Sequence, residues 1–341
     1  MKVLVAMSGG VDSSVVAYLL KNRGYEIEGV YLKLHDSPLY HQKNIQNVQI
    51  VSDYLNIPFH ILDLGDDFNQ KVYTPFVQSY IDGTTPNPCV VCNRNIKLGK
   101  LIEHTKEMGF DYLATGHYAK IEDNFIKEAL DKSKDQSYFL ANVKKESLPY
   151  ILFPLGDMLK KDVKNIAKDI KILESIAKQK ESSEICFVED SYLDILQKHT
   201  KVDMPGDVLN KDGDIIGEHF GYMRYTIGQR KGFRVKVAHE PHYVLSIDPK
   251  NNTITVGKKD ELDIISFKVS DLNLFVDEGE IECEVKIRYK SPKKPAILKC
   301  KNNQAIITLF EPLQGIAPGQ VAVFYEGERV IGSGIISKER V

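Results

Sequence analysis

The sequence predicts an α/β N-terminal domain built on a parallel sheet, then a small linker domain and a C-terminal antiparallel β-barrel. Three observations carry this. Short β-rich apolar runs alternate with helical patterns through the first half, which is the signature of βαβ units. A turn of serines and glycines, Ser8-Gly9-Gly10, falls between the first strand and the first helix. From about residue 200 the helical periodicity gives way to short alternating strands.

The elements follow in order. Val3 to Ala6 reads as a strand and Val11 to Leu20 as a helix; Ile27 to Leu34 and Ile45 to Leu55 repeat the pair, and Phe59 to Leu64 begins a third, leading to a segment that ends at Gly83. Asp111 to Thr115 reads as a buried strand after a helix whose Gly109 suits a C-terminal cap. Tyr243 to Ile247 and Thr253 to Val256 flank the turn Asn251-Asn252. The runs Glu282 to Tyr289, Ala296 to Lys299, Ala305 to Phe310 and Val321 to Tyr325 have the spacing of a small barrel. The expected domains are residues 1–195, 196–260 and 261–341.

A chain of 341 residues exceeds one core at roughly 100–200 residues per domain. With 43% hydrophobic and 27% charged residues it reads as an ordinary globular protein. No apolar run approaches the ~20 residues that span a bilayer, and the start MKVLVAMSGG lacks the features of a signal peptide, so the expected location is cytoplasmic, with no membrane partner. A net charge of −2 argues against indiscriminate coating of nucleic acid and leaves room for local basic patches. The five cysteines, Cys89, Cys92, Cys186, Cys283 and Cys300, form an odd set that disfavours a structural disulfide framework.

Ser8 to Ser14 can cradle an anion. Its glycines let backbone N–H groups approach phosphate oxygens, the helix N-terminus adds partial positive charge, and Ser8 and Ser13 supply hydroxyls. Asp12 would meet bare phosphate with repulsion, so its carboxylate reads as a Mg²⁺ ligand; the plainer alternative is an N-cap of the helix. The loop has no Walker lysine and is not GxGxxG. It resembles the loop of the PP-loop ATP pyrophosphatases, of adenine nucleotide alpha hydrolase-like fold, which cleave ATP between the α and β phosphates.

In Thr85-Pro86-Asn87-Pro88-Cys89-Val90-Val91-Cys92-Asn93 two cysteines lie one helical turn apart ahead of Lys97 and Lys100, a setting that favours thiolate. Cys186 follows in Ile185-Cys186-Phe187. Each cysteine alone is more often a small buried hydrophobe, and Cys283 and Cys300 are left at that reading. These segments occur in order with Ala114 to Tyr118, Lys134 to Leu140, Ile227 to Gly232 and Pro318-Gly319-Gln320. Together they resemble the tRNA-specific 2-thiouridylase family over essentially the whole chain.

The resemblance implies that Ala6, Met7, Ser8, Gly9, Gly10, Val11, Asp12 and Ser13 bind ATP together with Leu32 and Gly116. It makes Cys92 the first catalytic cysteine and Cys186 the carrier of persulfide sulfur. Asn87, Pro88 and Cys89 would face a flipped wobble uridine, and His117, Lys134, Asp135, Gln136, Arg288, Tyr289 and Gln320 would touch tRNA. The basic and aromatic run Arg288-Tyr289-Lys290, expected on a barrel strand, suits phosphate and stacking contacts by itself, or else serves as a solvated strand edge. Implied partners are wobble-uridine tRNAs for Lys, Glu and Gln and a cysteine desulfurase or sulfur-relay protein. Members of the family carry aspartate where this chain has Cys89, so an acid–base role there does not carry over.

The expected reaction is adenylylation of the uridine C2 oxygen, then sulfur transfer with release of AMP. Three soft thiolates, Cys89, Cys92 and Cys186, permit an alternative in which a [4Fe–4S] cluster holds hydrosulfide. Rivals are a PP-loop ligase acting on a small molecule and a non-catalytic RNA module with a structural zinc, which would need a fourth ligand such as His117.

Overall fold

The computed structural model describes residues 1–179, 185–236 and 240–339. They fall into two compact units: residues 1–72, 89–185 and 326–331, and residues 73–88, 186–325 and 332–341.

The first unit is built on the predicted sheet. Strands β1 (Lys2–Ala6), β2 (Glu26–Lys33), β3 (Phe59–Asp63), β4 (Tyr112–Ala114) and β7 (Ile151–Leu152) are all parallel, in the order β3-β2-β1-β4-β7. Val3, Leu4 and Val5 are fully buried, as they must be in a strand covered on both faces. Val3 and Val5 share one core with Val15 and Val16 of α1 (Val11–Asn22), Val48 and Val51 of α2 (Pro38–Leu55), and residues near position 163. The order places a switch point at β1, where the chain runs outward to β2 on one side and returns on the other as β4; the crevice beyond the C-terminal ends of such strands is where doubly wound sheets bind ligands.

The hairpin β5 (Ala119–Glu122) and β6 (Phe125–Glu128) is an insertion that the βαβ pattern does not announce, turning at Asp123 and Asn124 with positive φ. Gly109 ends a helix as expected, with φ 76° and the Gly109 and Phe110 amides bonded back to Lys106 and Thr105.

The second unit contains α3 (Thr74–Ile81), the segment to Pro88, a five-stranded sheet and the barrel. The sheet runs β10 (Arg234–Val235), β9 (Ile215–His219), β8 (Gly206–Leu209), β12 (Thr253–Gly257), β11 (Tyr243–Asp248), with the β11–β12 turn at Asn252 as predicted. The barrel strands are β13 (Ile264–Leu274), β14 (Glu280–Lys286), β15 (Lys294–Lys301), β16 (Gln304–Leu313), β17 (Val321–Glu326) and β18 (Arg329–Ile336). They follow the order β13-β16-β15-β14-β17-β18, and β13–β18 pairing closes the ring.

One expectation is corrected. Arg288-Tyr289-Lys290 is not on a barrel strand, because β14 ends at Lys286 and the three residues form the turn that follows. Arg288 and Ser291 close that turn on each other, through the Ser291 N–H to the Arg288 carbonyl at 3.1 Å and the Arg288 N–H to Ser291 Oγ at 3.2 Å. Cys283 and Cys300 are buried in β14 and β15, and burial pushes the Cys283 thiol up to about 12.

Candidate active site

The loop after β1 turns at Gly9 and enters α1 at Val11. Gly9 adopts φ 79°, and a Cβ there would fall 2.7 Å from the Asn44 carbonyl oxygen, so only glycine lets the chain turn past α2. The Asn47 amide holds the Gly9 carbonyl at 3.0 Å. Gly10 is the extended N-cap of α1; a Cβ there would meet only Ser8 Oγ at 3.4 Å, and its N–H donates to that same hydroxyl oxygen at 3.4 Å. The Ser13 hydroxyl sits 3.3 Å from Ser8 Oγ and donates to the Gly10 carbonyl at 3.1 Å.

Because Gly10 is the cap, Asp12 is not. Its carboxylate is gripped instead by a residue that the sequence reading did not name. Lys160, the first residue of α4 (Lys160–Asp169), places Nζ 2.7 Å from both Asp12 oxygens, and the Tyr118 hydroxyl donates to Oδ1 at 2.9 Å. The lysine side chain is 8% exposed and the aspartate 31%. Lys160 is itself anchored, since its backbone N–H donates to Asp131 Oδ2 at 2.9 Å. The loop therefore lacks a Walker lysine in sequence yet has an ammonium in space, brought from 148 positions away.

Gly116 follows β4 across the switch point. A Cβ there would lie 3.1 Å from the Ser13 nitrogen and 3.2 Å from Asp12 Cβ, so the second loop passes hard against the start of α1. Thr115 Oγ1 and His117 Nδ1 are 2.8 Å apart, and the ring meets Phe153 edge-on. Burial, with the Lys97 charge adding to it, pushes His117 down to about 3, so its imidazole is neutral near pH 7. Leu32 and Ala6 lie at the C-terminal ends of β2 and β1, beside the loop.

Several residues expected to touch RNA are tied inward. The buried Asp135 carboxylate accepts from the Ala129 N–H at 2.9 Å and from the Ser137 hydroxyl at 2.8 Å; burial raises its pKa against those bonds. Gln136 Oε1 accepts from the Tyr118 N–H at 3.0 Å. Gln136 thus braces the loop that carries Tyr118, and Asp135 the segment that follows β6. Lys134 lies in the turn just before them, its N–H on the Asp131 carbonyl.

Cys89 is half-buried and Cys92 buried, on the short helix Pro88–Cys92. Next to Cys92, the buried Asn93 donates its amide to the Phe139 carbonyl at 3.0 Å while Oδ1 has no hydrogen-bond partner among the described residues.

In the second unit, Cys186 is exposed, and its neighbour Phe187 packs on Tyr73 and on Phe76 of α3, with ring centroids 5.7 and 5.2 Å apart. Two of the sequence motifs meet here. Gln320 Nε2 donates to the carbonyls of Thr85 and Pro86 at 2.9 and 3.2 Å, and the Thr85 N–H donates to the Pro318 carbonyl. Gly319, at φ 89°, packs so closely on Thr84 and Thr85 that a Cβ would reach 3.0 Å. The turn Pro318-Gly319-Gln320 thus fixes the approach to Asn87. The Arg288 guanidinium donates to the carbonyls of Gly315 at 2.8 Å and Ile227 at 3.2 Å; Tyr289 beside it is half-buried.

Among the described residues no group of three or more His, Cys, Asp or Glu side chains is gathered to hold a metal ion. The [4Fe–4S] alternative on Cys89, Cys92 and Cys186 therefore lacks support and is set aside. No described helix is long and apolar enough to cross a membrane.

Family models described as tRNA methyl transferase HUP domain, tRNA methyl transferase PRC-barrel domain and Aminomethyltransferase beta-barrel domain match residues 1–190, 193–258 and 265–336. A protein from Campylobacter jejuni named tRNA-specific 2-thiouridylase MnmA is 57% identical over 98% of this chain and all of its own length. Proteins of the same name from Campylobacter lari and a Nitratiruptor species are each 56% identical, over 99% and 98% of this chain and 100% and 99% of theirs. A solved 4-thiouridine synthetase–RNA complex with bound ATP is far more distant, at 18% identity and TM-score 0.38 over 58% of this chain and 50% of that one.

Proposed function

The chain belongs to the tRNA-specific 2-thiouridylase family, and from that premise we propose that the loop 6–13 takes ATP, that Cys92 and Cys186 handle sulfur, and that Asn87 to Cys89 face the target uridine. The reaction is ATP-dependent 2-thiolation of a tRNA uridine, with tRNA and a sulfur-donating protein as partners. Near-complete alignment with the Campylobacter jejuni relative carries this reading.

The residues present suit a triphosphate. Gly10 caps the positive end of a 12-residue helix where nothing but Ser8 Oγ crowds its missing side chain, with the Ser8 and Ser13 hydroxyls beside it. Mg²⁺, held by Asp12, would neutralise charge on the departing pyrophosphate. The uridine C2 oxygen attacks the α-phosphorus, the bond to pyrophosphate breaks, and the poor oxygen leaving group becomes AMP. Amides of the loop stabilise negative charge that grows on the phosphates. Sulfur carried as persulfide on Cys186 then attacks C2 and AMP departs; the Cys92 thiolate attacks the Cys186 sulfur, the S–S bond to the transferred sulfur breaks to free the thiocarbonyl, and a Cys92–Cys186 disulfide is left for an external thiol reductant to open. An exposed Cys186 is accessible to a donor protein, whereas a buried Cys92 is shielded from adventitious oxidants. The neutral His117 is suited to exchanging hydrogen bonds rather than to pairing with phosphate. The favoured substrates are the tRNAs for Lys, Glu and Gln, read at the wobble uridine.

Nucleoside mass analysis of tRNA incubated with the protein, ATP, Mg²⁺ and a cysteine desulfurase system tests the reading. The expected product is 2-thiouridine that requires ATP. ATP cleavage with no thionucleoside, on any tRNA, would point to a small-molecule ligase instead.

A further inference from the structure

We propose that Lys160 neutralises Asp12 so that the cradle admits a divalent cation only as its nucleotide complex, and not as the free ion. The proposal deepens the ATP reading given above and rests on it.

A carboxylate offers about four acceptor directions. Lys160 Nζ lies 2.7 Å from both Asp12 oxygens and Tyr118 donates to Oδ1, so three are taken and the open direction is on Oδ2. A cation arriving there meets a single oxygen of a carboxylate whose charge is already matched by an ammonium. Mg²⁺ gives up its water reluctantly and usually binds one or two carboxylates plus substrate phosphates. An Asp12–Lys160 pair alone offers too little charge to strip it; with phosphate oxygens beside it, the same Oδ2 completes a shell.

Burial gives the arrangement its asymmetry. Lys160 lies beneath at 8% exposure, with Nζ 5.6 Å from the centre of the Tyr118 ring, while Asp12 is 31% exposed. The Lys160 main chain is tied to Asp131. A buried ion pair seldom stabilises a fold better than apolar side chains of the same volume, so stability alone gives little reason to keep one at this place. With Asp12 matched by the ammonium, the positive end of α1 is left unopposed, and the cradle therefore favours an anion first. Lys160 is a positioning residue in this account: it acts on the metal through Asp12.

The test uses Mn²⁺ as the probe, followed by its paramagnetic resonance signal, together with calorimetric titration of ATP in the absence of metal. Lys160→Gln keeps a donor for Asp12 and removes the charge; Lys160→Arg keeps the charge. In Lys160→Gln, affinity for Mn²⁺ alone should rise by about tenfold or more and metal-free ATP affinity should fall by about tenfold, since a like charge within hydrogen-bonding distance of the site is gone. Lys160→Arg should leave Mn²⁺ alone as weak as in the wild type. A merely structural tie would lower both affinities together, and that result overturns the proposal, as does tightening of Mn²⁺ in Lys160→Arg. If Lys160→Gln does not fold, the wild type decides: Mn²⁺ bound as tightly without nucleotide as with a non-hydrolysable ATP analogue overturns the inference. Wild-type protein that binds no ATP under any condition would sink the nucleotide reading itself, a separate outcome.

Discussion

The nucleotide cradle and the barrel-side turns use the same kinds of polar residue to different ends. In the cradle, Asp12 remains partly open and Gly10 has only Ser8 Oγ near its missing side chain, although both lie in a crowded junction. In the second unit, Gln320 and Arg288 donate to main-chain carbonyls of Thr85, Pro86, Ile227 and Gly315. A motif residue can therefore matter for chemistry by touching the ligand or by fixing the segment that does. Where its hydrogen bonds end distinguishes the two roles; its charge does not.

The comparison can be broken at several points. The largest effect is expected from Asp12→Asn, which should cut tRNA-dependent pyrophosphate release by about a hundredfold or more, because charge at the departing phosphates loses its partner. The same change removes the carboxylate charge that faces the buried Lys160 ammonium, so the thermal midpoint should fall as well. Full release by Asp12→Asn would remove Asp12 from the site. Next in size, Gly319→Ala forces a Cβ against Thr84 and Thr85 at φ 89° and should cost about 1–3 kcal/mol by denaturant unfolding. An unchanged midpoint would mean that the turn does not fix that segment.

His117 gives a pH signature. Its folded pKa, about 3, lies below the ordinary 6.5, so the stability it contributes is present above pH 6.5 and is lost as pH falls toward 3. The loss should reach at most about 1.4 kcal/mol per pH unit in that window, and the ring proton resonances should not titrate between pH 8 and 5. A midpoint near 6.5 in those resonances would show a solvated ring. The smallest effect is expected from Arg288→Ala with Lys290→Ala: the slope of tRNA affinity against salt should fall by about one, from Lys290, since Arg288 is engaged with carbonyls. A fall of two would put both on phosphate.

What the sequence made legible was contiguous. The loop 8–14 could be read because strand, glycine turn and helix start adjoin, and the barrel could be read from alternation alone. Lys160 could not, because Leu159-Lys160-Lys161-Asp162 looks like any solvated helix start and its partner lies 148 positions earlier. Asp135 sits among Lys134, Gln136 and Ser137, a composition that reads as exposed loop, yet it is buried as an acceptor for the Ala129 N–H. Arg288 was assigned to a strand because the apolar alternation of β14 runs on through Ile287, one residue past the last ladder position. The hairpin of β5 and β6 is too short to disturb the βαβ rhythm.

The most direct test measures thermal midpoint and ATP affinity side by side on Asp12→Asn/Lys160→Met and on Gln320→Ala. The double variant removes both charges of the buried pair; its midpoint should stay within about 3 °C of the wild type while ATP affinity with Mg²⁺ falls by about tenfold or more. Gln320→Ala leaves two carbonyls without their donor and should lower the midpoint by about 2–4 °C with ATP affinity unchanged. A double variant that binds ATP as the wild type does, or a Gln320→Ala protein that keeps its midpoint and loses ATP, would contradict the division between ligand-facing and strut residues.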